Sequence, residues 1–193
     1  MKKIELSDVL DLTAYELMRP AYRPKIMAIK EKRRLHVGPK ITYLFETYDT
    51  MWYQVQEMTR AERIVDEAGI RSELNAYNDL IPDRNQLSAT MLIEIDDIVE
   101  RKSFLGKIVD LPEHTYLNVA GDMIRPVFDP RQGSEDKLSS VQYVKFNLSE
   151  NQVVQFDNSQ SKILFSFDHP EYTYQQKLDE EQQQVLYQDL IRD

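Results

Sequence analysis

Two hydrophobic patterns divide the chain into a helical first part and a strand-rich second part. From Met51 to Val65 apolar residues recur at helical spacing, which predicts a helix over about 50–68 with Asp49 or Thr50 as its cap. Over 87–95 apolar residues instead alternate with polar ones, the pattern of a half-buried strand. The two periods indicate both helices and strands in one chain.

The same rules predict the remaining elements. Thr13 begins a helix that Pro20 interrupts. Further helices are expected at 24–35, 70–80, 96–108, 149–156 and from Asp179 to the C-terminus. Strands are expected at 41–47, 115–120, 123–128, 141–148, 162–168 and 172–177, with a polar loop at 129–140.

The order of these elements favours the α+β class over a βαβ winding. Most helices precede residue 85 and most strands follow it. We therefore expect one α+β domain over 1–193, in which a helical N-terminal third packs on a largely antiparallel β-sheet and a C-terminal helix follows. The mainly helical part spans 1–82 and the mainly β part spans 83–193.

Composition narrows the possible chemistry. The chain of 193 residues has no cysteine, which excludes disulfides, thiolate nucleophiles and Cys-ligated zinc or iron–sulfur centres. No phosphate-binding loop rich in glycine is present. No apolar run is long enough for a membrane span, and the N-terminus lacks the apolar region of a signal peptide. These features predict a soluble, cytoplasmic protein.

Charge is unevenly distributed. The chain carries −9 in total, yet residues 1–40 hold ten Lys and Arg against five acids, a net of +5, which leaves −14 for the rest. Such asymmetry is typical of a basic end that meets an anionic partner. The candidate partner-binding residues are Arg19, Arg23, Arg33 and Arg34. The basic 19–40 segment also leaves open a nucleic-acid-associated role, which the overall acidity argues against.

Two carboxylates on the 50–68 helix are candidate functional residues. Spacing places Glu62 on the apolar face, with Glu57 near its edge. A carboxylate on an apolar face costs free energy to bury unless it is paired, or it has a functional role that justifies this cost. It is either a site residue of raised pKa, including a metal ligand, or a member of an ion pair with an arginine from the 19–34 region.

Asp168 and His169 form the second candidate. A histidine between two predicted strands, preceded by an acid, suits a general base or ligand that a carboxylate orients. The alternative is a strand end, where the aspartate accepts turn hydrogen bonds and Pro170 bends the chain. No catalytic triad can be completed around this pair, and the sequence identifies no catalytic residue.

The sequence favours a protein without a cofactor, and the alternative is a protein with a metal site. Because cysteine is absent, the site would be rich in carboxylates and would hold a non-haem metal ion. Its ligands would be Glu57, Glu62 and His169, with Glu46 or Glu73 in support.

Several motifs resemble a bacterial family known as domain of unknown function 3501. They include Arg19-Pro-x-x-Arg23, the run from Gln54 to Arg63, Glu73-Leu-Asn-x-Tyr-Asn-x-Leu-Ile-Pro82 and Asp168-His-Pro-x-Tyr172. The resemblance covers nearly the whole chain and implies no known activity. It does imply that such proteins are neighbours, in bacterial genomes, of rubrerythrin-like and iron–sulfur oxidoreductase proteins. This association suggests an accessory role in redox or oxidative-stress metabolism.

The sequence thus leads to three hypotheses about function. The first is an accessory protein that binds a redox partner through its basic N-terminal arm. The second is a carboxylate-ligated metalloprotein with hydrolase or oxidase activity, and the third is a nucleic-acid-associated factor.

Overall fold

The computed structural model describes residues 2–134 and 136–192. Over these residues the chain forms six α-helices, and none is long and apolar enough to cross a bilayer. The helices are α1 (Leu12–Glu31), α2 (Tyr48–Glu62), α3 (Glu67–Asn78), α4 (Ile98–Lys107), α5 (Glu150–Asp157) and α6 (Glu180–Leu190).

The same residues form eleven β-strands, which confirms the α+β class and the C-terminal helix. The strands are β1 (Arg34–Val37), β2 (Ile41–Phe45), β3 (Gln86–Ile93), β4 (Thr115–Val119), β5 (Asp122–Ile124), β6 (Val127–Phe128), β7 (Gly133–Ser134), β8 (Lys137–Leu138), β9 (Val141–Asn147), β10 (Ile163–His169) and β11 (Tyr172–Lys177).

The strands form two main antiparallel sheets rather than one. The first has the order β1-β2-β3-β9-β6 and the second has the order β11-β10-β4-β5. A small hairpin of β7 and β8 lies within the segment predicted as a loop. The predicted strand 123–128 is split, since β5 pairs with β4 in the second sheet and β6 pairs with β9 in the first.

The main core lies where the two sheets face each other. Because side chains alternate along a strand, every second residue of β2, β3, β9, β4 and β10 faces this core. Its centre is the fully buried Tyr43, whose ring lies within 6.0 Å of the rings of Phe45, Phe146, Phe165 and Phe167. Aromatic contacts of this kind stabilise beyond the apolar area that they bury.

A second, smaller core joins the helices to the outer face of the first sheet. Met51 and Val55 of α2 pack with Leu74 of α3 and with Ile81, and Tyr143 of β9 contacts this cluster. Helix α1 packs along α2 and buries Tyr15 completely. The molecule is therefore layered as helices, first sheet and second sheet.

Helix α1 differs from its predicted form. Pro20 does not interrupt it, because the helix continues through Pro20 and Pro24 to Glu31. Both proline side chains are exposed on its outer face, so the rings meet no neighbouring element. The cap is Asp11, which accepts a hydrogen bond from the Ala14 N–H, and not the predicted Thr13.

The predicted helix 24–35 ends early, since β1 begins at Arg34. Leu35 and Val37 are buried while His36 between them is exposed, which is the alternation of a strand. Pairing with β2 over four residues favours the strand over the helix, because it buries these two apolar residues in the main core.

The predicted helix 50–68 also ends early. It closes at Glu62 because Arg63 adopts a left-handed conformation with φ of 54°. Gly69, which the sequence suggests as the residue that breaks this helix, instead lies in the first turn of α3 and donates its N–H to the cap Asp66. The predicted cap is off by a few residues as well, because Thr47 caps α2.

The turn between β1 and β2 is locked by the second sheet. The Tyr172 hydroxyl donates to the Val37 carbonyl at 2.6 Å and accepts from the N–H groups of Lys40 and Ile41. Gly38 has φ of 74°, and a Cβ there would lie 2.5 Å from the Tyr174 ring. Only glycine fits this turn against the tyrosines of β11.

A buried ion pair fastens the end of α1 to α6. The Arg33 guanidinium donates two hydrogen bonds to the carboxylate of Asp189, whose side chain is 3% exposed. Such a pair is weak evidence of net stabilisation, but removing one partner leaves a buried charge without compensation.

The Arg33→Met variant should therefore lose roughly 3–5 kcal/mol of unfolding free energy, because the Asp189 carboxylate stays buried without its partner. Urea denaturation measures this loss. The double variant Arg33→Met/Asp189→Leu should recover most of it, and Arg23→Met on the exposed face of α1 serves as the control. A double variant no more stable than Arg33→Met alone would contradict this account.

Candidate functional site

Glu57 forms an ion pair with Arg19, which is one of the two interpretations that the sequence allowed. Its carboxylate accepts hydrogen bonds from Arg19 at 2.7 and 2.9 Å and from the Tyr15 hydroxyl at 2.6 Å. The Arg19 guanidinium, more than any other group, lowers the pKa of Glu57 to about 2. All these partners belong to α1, so the carboxylate fastens α1 to α2 and is not available as a base.

The placement of Glu62 in the core was wrong. Glu62 is the last residue of α2, and its side chain is exposed. Val65, which completed the predicted apolar stripe, lies beyond the helix and is 77% exposed. The inferred face required the helix to continue to residue 68. The Glu62 carboxylate acts on Glu73, whose pKa is raised by partial burial and then by this charge.

Asp168 does not orient His169 as the first alternative required; His169 is instead the last residue of β10, as in the strand-end alternative. The two are adjacent on β10, so their side chains point to opposite faces: His169 is buried and Asp168 is exposed. Asp168 instead contacts the Nδ1 of His114 at 2.9 Å, and His169 contacts Asp110 through Nε2 at 2.9 Å.

The hydrogen bonds of His169 fix its tautomer. The backbone N–H of Glu171 donates to Nδ1 at 3.0 Å, so Nδ1 must be the acceptor and the proton resides on Nε2. Nε2–H then donates to the Asp110 carboxylate, and this bond is the main cause that lowers the pKa of Asp110. Neither ring nitrogen keeps a lone pair for a metal ion or for proton abstraction.

The proposed metal ligands have separate surroundings. Glu57 is held by Arg19 in the helical layer, Glu62 faces solvent, and His169 pairs with Asp110. Within the described residues no group of three or more His, Asp or Glu side chains is arranged to hold a metal. Glu46, considered as a supporting ligand, has hydroxyl partners instead.

Glu46 is a deeply buried carboxyl group whose hydrogen-bond partners are hydroxyls. It follows β2 on the face toward the helices, is 3% exposed, and lies between the hydroxyls of Thr50 at 2.6 Å and Thr90 at 2.7 Å. Burial raises its pKa. The Thr50 hydroxyl also lies 3.1 Å from the Thr47 carbonyl, so a protonated Glu46 that donates to Thr50 satisfies all these contacts at once.

The arginines of the basic segment divide into internal and external ones. Arg19 and Arg33 are engaged with Glu57 and Asp189, and Arg34 lies 3.9 Å from Glu94. Arg23 is exposed and, among the described residues, has no ion-pair partner. Of the four predicted partner-binding arginines, Arg23 is thus the one that is exposed without an ion pair to any residue that the structure describes.

Around Arg23 the outer face of α1 carries an apolar stripe that sequence reasoning missed. Leu17 is 81% exposed and Met27 is 37% exposed, although both are large and apolar. At helical spacing they form one face, about 120° wide by helix geometry, with other exposed small or apolar residues. The members of this α1 stripe are Leu17, Pro20, Ala21, Pro24, Met27 and Ala28.

The two prolines also change the polar character of the stripe. Because proline has no N–H, the carbonyls of Glu16 and Pro20 lose the donors that residues 20 and 24 would supply in a regular helix. The α1 stripe therefore combines apolar side chains with two backbone carbonyls that lack their regular helical donors. A periodicity count over 17–28 contains this signal, which the assumption of a break at Pro20 concealed.

These observations define an α+β protein with two facing antiparallel sheets, a helical layer, and polar groups used mainly for internal contacts. The chain belongs to the family described as protein of unknown function (DUF3501), whose model matches residues 3–190, as the sequence motifs suggested. Among curated proteins none matches the chain.

A solved structure has the same fold. It is the crystal structure of a novel protein of unknown function from Burkholderia pseudomallei, 28% identical to this chain. The match covers 98% of this chain and 100% of that one, with a TM-score of 0.91. The arrangement of the layers is therefore shared over the whole length of both proteins.

Glu46→Gln should stabilise the protein in a pH-dependent way. Below the ordinary pKa of glutamate, Glu46 is protonated in both folded and unfolded states, so wild type and variant should be equally stable near pH 4. As pH rises, only the unfolded wild type releases this proton readily, so wild type loses stability that the neutral Gln keeps. Urea denaturation at pH 4 and pH 7 measures the difference, and an equal difference at both values would count against a protonated Glu46.

Glu57→Gln should have the opposite pH dependence. The lowered pKa of Glu57 stabilises the folded state above about pH 4.5, and this contribution disappears as pH falls to about 2. At pH 7 the variant should lose roughly 1–3 kcal/mol, as expected for hydrogen bonds to a charged group. Denaturation curves should converge with wild type near pH 2. Tyr15→Phe, which removes one bond and keeps the ion pair, should lose less.

Proposed function

We propose that this protein is a non-enzymatic accessory protein that binds a partner through the outer face of α1. The observation that carries the proposal is the α1 stripe, in which Leu17 is 81% exposed on a helix whose other face is packed. Exposed apolar surface costs free energy, and a contiguous stripe of it is typical of an interaction site.

The charges beside the stripe indicate the chemistry of the partner. Helical geometry places Arg23 along one edge of the stripe and Lys25 along the other. Both are exposed and have no ion pair with any described residue. The expected partner is an amphipathic helix with an apolar face and acidic residues on both flanks, which matches the stripe in hydrophobicity and charge.

A second copy of this chain fits the stripe less well. In an antiparallel arrangement around the middle of the stripe, Arg23 would lie close to its own symmetry mate. In a parallel arrangement Arg23 would face Lys25 of the copy. Like charges in opposition disfavour both arrangements, so the proposal is a different protein with acidic flanks.

The other two hypotheses draw less support. A metalloprotein would need Glu57 and His169 as ligands, yet Arg19 holds the first and both ring nitrogens of the second are engaged. A nucleic-acid role would need a broad cationic face, yet Arg19 and Arg33 are used within the protein.

The family resemblance supplies the partners to test first. It suggests a rubrerythrin-like protein or an iron–sulfur oxidoreductase from the same cell, and we propose one of these as the partner. Such a pairing would place the protein beside redox chemistry that it does not itself perform.

Binding of the purified partners to the full chain tests this proposal. Leu17→Asp and Arg23→Glu should each weaken binding by about tenfold or more, because one removes apolar contact and the other reverses a charge. Isothermal titration calorimetry measures the change.

Matched controls come from elsewhere on the surface. Val154→Asp replaces an apolar residue of α5 that is 67% exposed, and Lys162→Glu reverses an exposed charge outside α1. Both should bind as wild type. Equal effects of control and test variants, or no binding of either partner class to wild type, would refute the proposal.

A further inference from the structure

A groove whose lining includes no residue of α1 carries a separate set of features. It runs between α4 and the hairpin of β7 and β8, with a volume of about 420 Å³. The size lies within the range of small-molecule sites in proteins. Its lining consists of Ile98, Arg101, Lys102, Leu105, Gly133, Lys137, Leu138, Ser139 and Ser140.

One face of α4 forms the first wall. Residues 98, 101, 102 and 105 follow helical spacing, so their side chains lie side by side along the groove. Ile98 is 62% exposed. Leu105 of α4 and Leu138 of the facing hairpin are buried, and they form the apolar base of the groove. The groove thus offers a continuous apolar surface that begins in solvent at Ile98.

The polar lining is cationic. Arg101, Lys102 and Lys137 are the charged members, and no acidic residue lines the groove in the described part of the chain. This composition is unusual for a protein of net charge −9. Arg101 and Lys102 therefore give the groove cationic groups that can pair with an anion.

Arg101 is held in place before any ligand binds. Its Nη1 donates to the Ile95 carbonyl at 3.0 Å, which fixes the side chain and leaves other guanidinium N–H groups for a ligand. A fixed guanidinium loses little conformational entropy on binding. Ser139 and Ser140 also line the groove.

From these features we infer that the groove binds a small organic anion with an apolar body. The carboxylate or phosphate head would pair with Arg101 and Lys102, and the apolar body would lie against Ile98, Leu105 and Leu138. The site is distinct from the α1 stripe, and the inference does not depend on the proposed partner.

Octanoate and octyl phosphate are suitable probes for the full chain. Amide chemical shifts in ¹H–¹⁵N NMR should move saturably on α4 and at residues 137–140 with either probe. Comparing the two distinguishes a carboxylate from a phosphate preference. Octyltrimethylammonium, which has the same chain and the opposite charge, should cause no such shifts, and acetate should bind about tenfold or more weakly because it lacks the apolar body.

Two variants test the residues themselves. Arg101→Gln and Lys102→Gln should each weaken octanoate binding by about tenfold, as expected for loss of a charge-assisted hydrogen bond. Lys162→Gln, at an exposed site away from the groove, should bind octanoate as wild type. Unchanged binding in both groove variants, shifts located elsewhere, or equal binding of the cationic probe would overturn the inference.

Discussion

The need to compensate carboxylates that are partly or fully buried determines how the helical layer is attached. Glu57 and Asp189 lie on different helices, and α1 supplies or immediately precedes the arginine that each one requires. Together these bonds hold α1 at its middle and at its C-terminal end. The orientation of α1, and therefore the face that it turns to solvent, follows from this electrostatic requirement.

The groups that most resemble catalytic residues are used for structure. His169 shares its nitrogens between a backbone amide and Asp110, and Glu46 is enclosed by threonine hydroxyls. The features that remain open to solvent are instead the apolar α1 stripe and the groove beside α4. We propose both as binding surfaces, which would give an accessory protein one macromolecular contact and one small-molecule contact.

Periodicity predicted β10, β11 and α6 closely because each has a clear pattern and a nearby turn or cap. Local rules failed where tertiary contacts decided the outcome. Pro20 stays within α1 since its ring faces solvent, and residues 34–37 became a strand because β2 offered pairing. The prediction of the candidate site was the least accurate, because the expected burial of Glu62 depended on where α2 ends.

The prolines of α1 have a consequence for the order in which the protein folds. A helix gains stability as successive turns add hydrogen bonds, and Pro20 and Pro24 each remove one from the middle of α1. The isolated segment therefore has little tendency to be helical, and α1 depends on Tyr15, Arg19 and Arg33 reaching partners in an already formed layer. In the native ensemble α1 would be among the first elements to open and exchange its amide hydrogens, while the main core around Tyr43 remains closed.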